Sequence, residues 1–180
     1  MQCYPLALAM MLAIGPVAAQ APRVKPAAGE DLRAVYASSA DVAEGKRVAD
    51  SSCARCHGAS GISTTKGTPH IAGQRAGYLY QQLRAYQKRP RGSSAMESAV
   101  RFLRDDALVA VSAYYASLEP ARPAAGPAKP MPDSDPLVAG KAAAAGCAGC
   151  HGEAGVTSMP GMPSLVGLDP KYFVAAMNAY

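Results

Sequence analysis

The chain has 180 residues, 6% of them aromatic with no Trp, and a formal net charge of +5. So few aromatics fill a large core poorly, and small domains of this kind need a staple such as a metal, disulfides or a bulky cofactor. The basic excess has no interleaved aromatics, which argues against a nucleic-acid partner.

An apolar run at residues 6–14 is too short to span a bilayer as a helix. Small residues follow, and Val17-Ala18-Ala19 and Ala19-Gln20-Ala21 both suit a signal peptidase. Residues 1–21 are therefore expected to be a secretion signal, although no Lys or Arg precedes the apolar run. Residues 22–39 read as a loose, Ala- and Pro-rich leader.

Asp41 is the expected cap of a helix starting at Val42, with Glu44 three residues on as in a capping box. That helix runs into Cys53-Ala54-Arg55-Cys56-His57. A second is expected over 77–88, where Leu79, Leu83 and Tyr86 recur at i, i+4 and i+7. The polar stretch Gly92-Ser93-Ser94-Ala95 then reads as a loop delivering Met96. A third helix follows the cap candidate Asp105, places Leu108, Val111, Tyr115 and Leu118 on one face, and stops at Pro120. Residues 120–136 carry Pro120, Pro123, Pro127, Pro130, Pro132 and Pro136, a density that blocks helix and sheet and predicts a stiff connector. No convincing alternating strands occur, so the fold class is all-α.

An internal repeat organises the chain. An offset of 94 positions relates Cys53 to Cys147, Cys56 to Cys150 and His57 to His151. It also relates Gly61 to Gly155, Pro69 to Pro163, Gly73 to Gly167, Tyr78 to Tyr172 and Tyr86 to Tyr180. Upstream, Gly45-Lys46 matches Gly140-Lys141 after a one-residue slip. The expected domains are 40–119 and 137–180, the second incomplete, because Tyr180 matches a residue inside the second helix of the first unit. The counterpart of Met96 would fall at position 190, past the last residue, so the sequence reads as a shortened product.

Beyond Cys3, which leaves with the signal, every cysteine lies in a C-x-x-C-H motif. In an exported protein four cysteines would ordinarily suggest two disulfides. A His directly after each pair has no role in a disulfide, whereas covalent haem attachment requires it: two thiols bond the vinyl groups and the His faces the iron. A four-cysteine zinc site would have to close across the Pro-rich linker, and a thioredoxin-like pair would need a βαβ context that is absent. The candidate attachment residues are Cys53, Cys56, Cys147 and Cys150, with His57 and His151 as iron ligands. Met96, the only Met between Cys53 and Glu119, is the candidate sixth ligand of the first haem. Met159 and Met162 lie too close to His151 to cross to the opposite haem face, and Met177 reads as core. His70, beside Pro69, aligns with Ser164 and is read as a solvated loop residue rather than a ligand or propionate partner.

The first unit resembles a class I cytochrome c, from Cys53 to His57 through Gly73-Gln74, Leu83, Met96 and Tyr114-Tyr115-Ala116-Ser117-Leu118. Two such units behind a signal resemble the cytochrome c4 family of dihaem electron carriers. The resemblance implies two tandem all-helical domains, each wrapped around one covalent haem c, carrying single electrons in the periplasm. It further implies redox proteins as donor and acceptor, a terminal oxidase or a dehydrogenase among them, with membrane association only through a partner. The alternative is a peroxidase-like haem enzyme or sensor using an unfilled second iron, or the cytochrome subunit of a larger oxidoreductase. Arg84, Lys88, Arg89 and Arg91 form the densest basic group and are expected to steer an acidic redox partner.

Overall fold

The structure, a computed structural model, describes residues 36–88, 91, 94–122 and 136–179. The expected signal, most of the leader and of the Pro-rich connector, Arg89 and Tyr180 lie outside the described residues.

Helix α1 (Ser39–Ser52) starts one turn earlier than the sequence reading placed it. Ser38 is the cap: its hydroxyl accepts the Asp41 N–H at 3.2 Å, while the Asp41 carboxylate accepts the Ser38 N–H at 2.8 Å. Asp41 is thus the returning half of the capping box, satisfying a second orphan donor. Glu44, expected in that role, instead pairs with Arg47 on the exposed face. Helix α1 runs into the short α2 (Ala54–His57), which Gly58 ends at φ 80°, a left-handed conformation that a Cβ disfavours.

Helix α3 (Ala76–Lys88) buries Leu79 and Tyr80. Helix α5 (Asp105–Ala116) buries Leu108, Val111, Tyr114 and Tyr115, so its apolar face lies inward as its spacing predicts. Its N-cap is Arg104, without a side-chain cap bond, and Asp105 is already the first helical residue. The Asp105 carboxylate instead accepts the Tyr80 hydroxyl at 2.6 Å, tying the start of α5 to α3. The main core joins Val48 and Ala49 of α1, Leu79 of α3, and Val111, Tyr114 and Tyr115 of α5. Each fully buried aliphatic side chain there contributes about 1.5–3 kcal/mol.

The crossing of α1 over α5 depends on Gly45. A Cβ at that position would overlap the Ala110 backbone and lie 2.8 Å from the Tyr114 Cβ. Only a residue without a side chain lets the two backbones approach this closely.

Met96 does not lie in a loop. It sits within α4 (Ser94–Val100), a one-to-two-turn helix with Glu97 in its first turn, where a negative charge favours the helix N-terminus. The Gln87 amide of α3 donates to the carbonyls of Val100 at 2.9 Å and Leu103 at 2.8 Å, holding the end of α4 where intrahelical partners run out.

The second segment comprises α6 (Pro136–Ala144), a 3-10 turn (Ala145–Cys147), α7 (Ala148–His151) and α8 (Pro170–Asn178). Helices α6 and α8 bury none of their residues. Met177, read from sequence as core, is 56% exposed, because the described residues include no counterpart of α5 to cover α8 or α6. Among the described residues no helix is long and apolar enough to cross a membrane.

The two segments touch through few, specific contacts. Gln74 exchanges two hydrogen bonds with the Ser164 backbone, and the Tyr78 N–H donates to the Pro160 carbonyl at 3.2 Å. Arg91 reaches the Tyr172 hydroxyl at 2.7 Å.

Candidate functional site

Both C-x-x-C-H motifs lie in a single turn of helix that closes at a positive-φ glycine, Gly58 or Gly152. After each motif the chain doubles back through the same hydrogen bonds. The Gly61 carbonyl accepts the N–H groups of Ile71 and Ala72, and the Gly155 carbonyl those of Leu165 and Val166. The Ser63 hydroxyl donates to the Cys56 carbonyl at 2.7 Å, and the Thr157 hydroxyl to the Cys150 carbonyl at 2.8 Å. A hydroxyl at this position satisfies a carbonyl that the one-turn helix leaves open.

The return loop brings a prolyl carbonyl to each histidine. His57 Nδ1 lies 3.0 Å from the Pro69 oxygen, and His151 Nδ1 lies 2.9 Å from the Pro163 oxygen. A carbonyl oxygen only accepts, so Nδ1 carries the proton in both rings and Nε2 keeps its lone pair. That is the tautomer a metal-ligating imidazole needs, fixed by an outer hydrogen bond that orients the ring and strengthens its basicity. His57 is buried at 7% exposure, and burial holds its pKa below the ordinary imidazole value despite the opposing pull of the Pro69 carbonyl. It is therefore neutral and ready to bind an electrophilic metal centre at neutral pH.

All four cysteines of the motifs are free thiols. Cys53 is half-buried, and burial pushes its thiol up to about 11 although the Tyr115 hydroxyl beside it acts in the opposite direction. Cys56, Cys147 and Cys150 are exposed. No three His, Cys, Asp or Glu side chains converge on a metal-sized site among the described residues, so the two cysteine pairs do not combine into one cage. Each motif instead offers two thiols and one imidazole nitrogen from consecutive turns of chain, a donor set that fits covalent haem c with one axial ligand.

Met96 in α4 is partly buried, on an element held by α3. Met159 is 46% exposed. His70 is not the solvated loop residue expected from sequence: it is half-buried, and its Nδ1 accepts the Ser63 N–H at 2.9 Å. An accepting Nδ1 in a neutral ring puts the proton on Nε2, which removes the lone pair a ligand would use. Two residues of the basic group, Arg84 and Arg91, have partners within the chain. Arg84 donates to Gln87 and lies 3.8 Å from Asp105, while Arg91 bonds Gln82 and Tyr172. Sequence reasoning missed the prolyl carbonyls, although Pro69 and Pro163 were visible as repeat partners. It also missed Ser63 and Thr157, whose shared hydroxyl stands at the same 94-residue offset.

Residues 42–119 match the cytochrome c family. The chain is 34% identical over 82 residues to the thiosulfate dehydrogenase electron acceptor of Thiomonas intermedia (strain K12), a match covering 45% of this chain and 36% of that protein. It is 31% identical over 70 residues to cytochrome c-554(548) of Halomonas halodenitrificans, covering 37% of this chain and 84% of that protein. Among solved structures, it resembles the thiosulfate dehydrogenase of Marichromatium purpuratum with a TM-score of 0.64 at 26% identity, over 77% of this chain and 32% of that one. It resembles cytochrome c4 of Pseudomonas stutzeri with a TM-score of 0.58 at 26% identity, over 76% and 77% of the two chains. The chain thus spans about a third of the two thiosulfate dehydrogenase-related proteins, but most of the Halomonas cytochrome. The repeated thiol–imidazole geometry and these likenesses lead to one assignment: the chain belongs to the cytochrome c family, an all-α fold that carries covalent haem c.

Proposed function

We propose that the chain is an exported dihaem electron carrier. Cys53 and Cys56 hold one haem c and Cys147 and Cys150 a second, with His57 and His151 as proximal ligands and Met96 as the sixth ligand of the first iron. The observation that carries this reading is the matched pair of histidines, each with Nδ1 tied to a prolyl carbonyl 12 residues on. The same arrangement twice, at a fixed repeat offset, supports the same role twice. The expected domains at 40–119 and 137–180, and the periplasm as compartment, belong to this reading and draw on the signal-like N-terminus.

Bound haem supplies a reversible one-electron couple at iron. The protein residues do the rest. Thioether bonds from each cysteine pair keep the cofactor attached although the domain around it is small. The prolyl carbonyls orient the imidazoles and hold the proton on Nδ1, which leaves the Nε2 lone pair free for a metal. Met96 as a thioether ligand would raise the potential and fill the remaining position, favouring electron transfer over ligand chemistry. The buried cluster of Val48, Leu79, Val111 and Tyr115 packs against Cys53 and would shield that side of the first site from water.

The electron donor in this reading is a dehydrogenase, an inference supported by the relative named as an electron acceptor of thiosulfate dehydrogenase. The test is chemical and kinetic. The exported protein is isolated, its haem content per chain is measured as the alkaline pyridine complex, and its reduction by a thiosulfate dehydrogenase is followed by stopped flow. Two haems per chain and saturable reduction are expected. One haem would overturn the dihaem assignment, and no reduction would remove the proposed donor. Carbon monoxide added to the reduced protein distinguishes a filled second iron from an open one.

A further inference from the structure

Arg91, three residues before the helix that bears Met96, is a point where the second segment reaches the first. Its guanidinium, a planar fork of five donors, bonds the Gln82 side-chain oxygen through Nη1 and the Tyr172 hydroxyl through Nη2 at 2.7 Å. It lies 5.2 Å from the centre of the Tyr86 ring, within cation–π range. Gln82 and Tyr86 belong to α3 of the first segment and Tyr172 to α8 of the second. The group is half-buried, where a charge-assisted hydrogen bond is stronger than on an open surface.

Helix α4 is seven residues long, too short to fix its own position. It packs against α3 and buries Val100, and what holds its ends fixes it further. The C-terminal end is pinned within the first segment, by the Gln87 amide on the carbonyls of Val100 and Leu103. On the N-terminal side Arg91 stands five positions before Met96, and that pin is shared with the second segment.

We propose that Tyr172 is a positioning residue for Met96: by holding Arg91, the second segment fixes the chain five positions before the first iron's sixth ligand. The inference rests on the reading of Met96 as that ligand. It makes the first haem's coordination dependent on docking of the second unit, so that loosening the interface loosens the Met96–iron bond. Tyr172 touches neither haem ligand; it acts through Arg91.

The test uses the full haem-loaded protein and the conservative variant Tyr172→Phe, which keeps the ring and removes the hydroxyl. Two readouts are taken: the rate at which added imidazole displaces methionine from the ferric first haem, and amide exchange across residues 96–100. Both are expected to rise about tenfold, the scale of losing one hydrogen bond to a charged group. Exchange in α1 and α5 should be unchanged. Arg91→Lys, which keeps charge but loses the fork, should act in the same direction. Unaltered displacement and exchange in Tyr172→Phe would overturn the proposal. So would an effect of Arg91→Lys alone, which would confine the pin to Gln82 within the first segment, or an equal acceleration in α1 and α5, which would mark general destabilisation. If the wild-type spectrum carries no methionine–iron band, the Met96 assignment fails. Amide exchange then still reports whether Tyr172 holds α4.

Discussion

Gln74 grips Ser164 with both ends of its side-chain amide: Nε2 donates to the Ser164 carbonyl at 2.9 Å while Oε1 accepts the Ser164 N–H at 2.8 Å. Gln74 is 6% exposed, and its Oε1 also accepts its neighbour's N–H, from Arg75 at 3.0 Å. The repeat places Leu168 at the corresponding position of the second segment, so the clasp works in one direction only. Replacing Gln74 by Leu removes both bonds and leaves a partly buried backbone pair without partners, at a cost of about 1–3 kcal/mol to the interface. Amide exchange at Ser164 should accelerate at least about tenfold. An unchanged rate would mean that the Arg91–Tyr172 and Tyr78–Pro160 contacts alone hold the segments together.

The two glycines matched by the repeat should respond oppositely to the same change. Gly45→Ala drives a methyl group into the Ala110 backbone and against Tyr114, so α1 and α5 must separate, a loss of about 1–3 kcal/mol or more. Gly140 lies in α6 with nothing within 4 Å of an added Cβ. Gly140→Ala should therefore stabilise its helix by about 0.5–1 kcal/mol through propensity alone. Denaturant midpoints of the haem-loaded variants decide the matter, and a destabilised Gly140→Ala would mean that α6 is covered in solution.

These two positions also mark what the sequence made legible. The repeat was readable because side chains needed at a fixed offset leave a register, and the matching φ values of Gly61 and Gly155 (72° and 71°) are its backbone counterpart. Helices α3 and α5 were readable because their apolar residues recur at helical spacing, and α3 begins within one residue of its expected start. Less was readable where a backbone atom does the work. The prolyl carbonyls that fix the histidine tautomers carry no side-chain signal. Helix α4 escaped notice because a seven-residue helix has no periodicity to detect, and its hold comes from Gln87, on the previous helix. Charge density in sequence likewise does not reveal that Arg84 and Arg91 have partners within the chain.

Removing the proposed sixth ligand should change the chemistry of the first haem without removing the haem. Met96→Leu keeps an apolar side chain of similar volume, so packing around α4 costs less than about 1.5 kcal/mol. The reduction potential of the first haem should fall, and the reduced protein should gain a carbon monoxide complex. Potentiometric titration and a difference spectrum read both effects. If neither moves, another residue fills that position.

The pH dependence of stability follows from His57. Burial lowers its folded-state pKa below the unfolded value of about 6.5, and iron at Nε2 acts in the same direction by occupying the site of protonation. As pH falls, the unfolded chain therefore takes up the proton first. The stabilisation is fully present above about pH 6.5 and is lost as pH drops through the depressed folded value. Guanidinium midpoints of the haem-loaded protein should be level between about pH 7 and 8 and decline between about pH 6 and 5. That window lies above the range in which ordinary carboxylates titrate, so the decline should follow the histidine. A midpoint that rose on acidification would mean that the folded imidazole is more basic than the free one, so that the pull of the Pro69 carbonyl outweighs burial, the reverse of the balance argued for this ring.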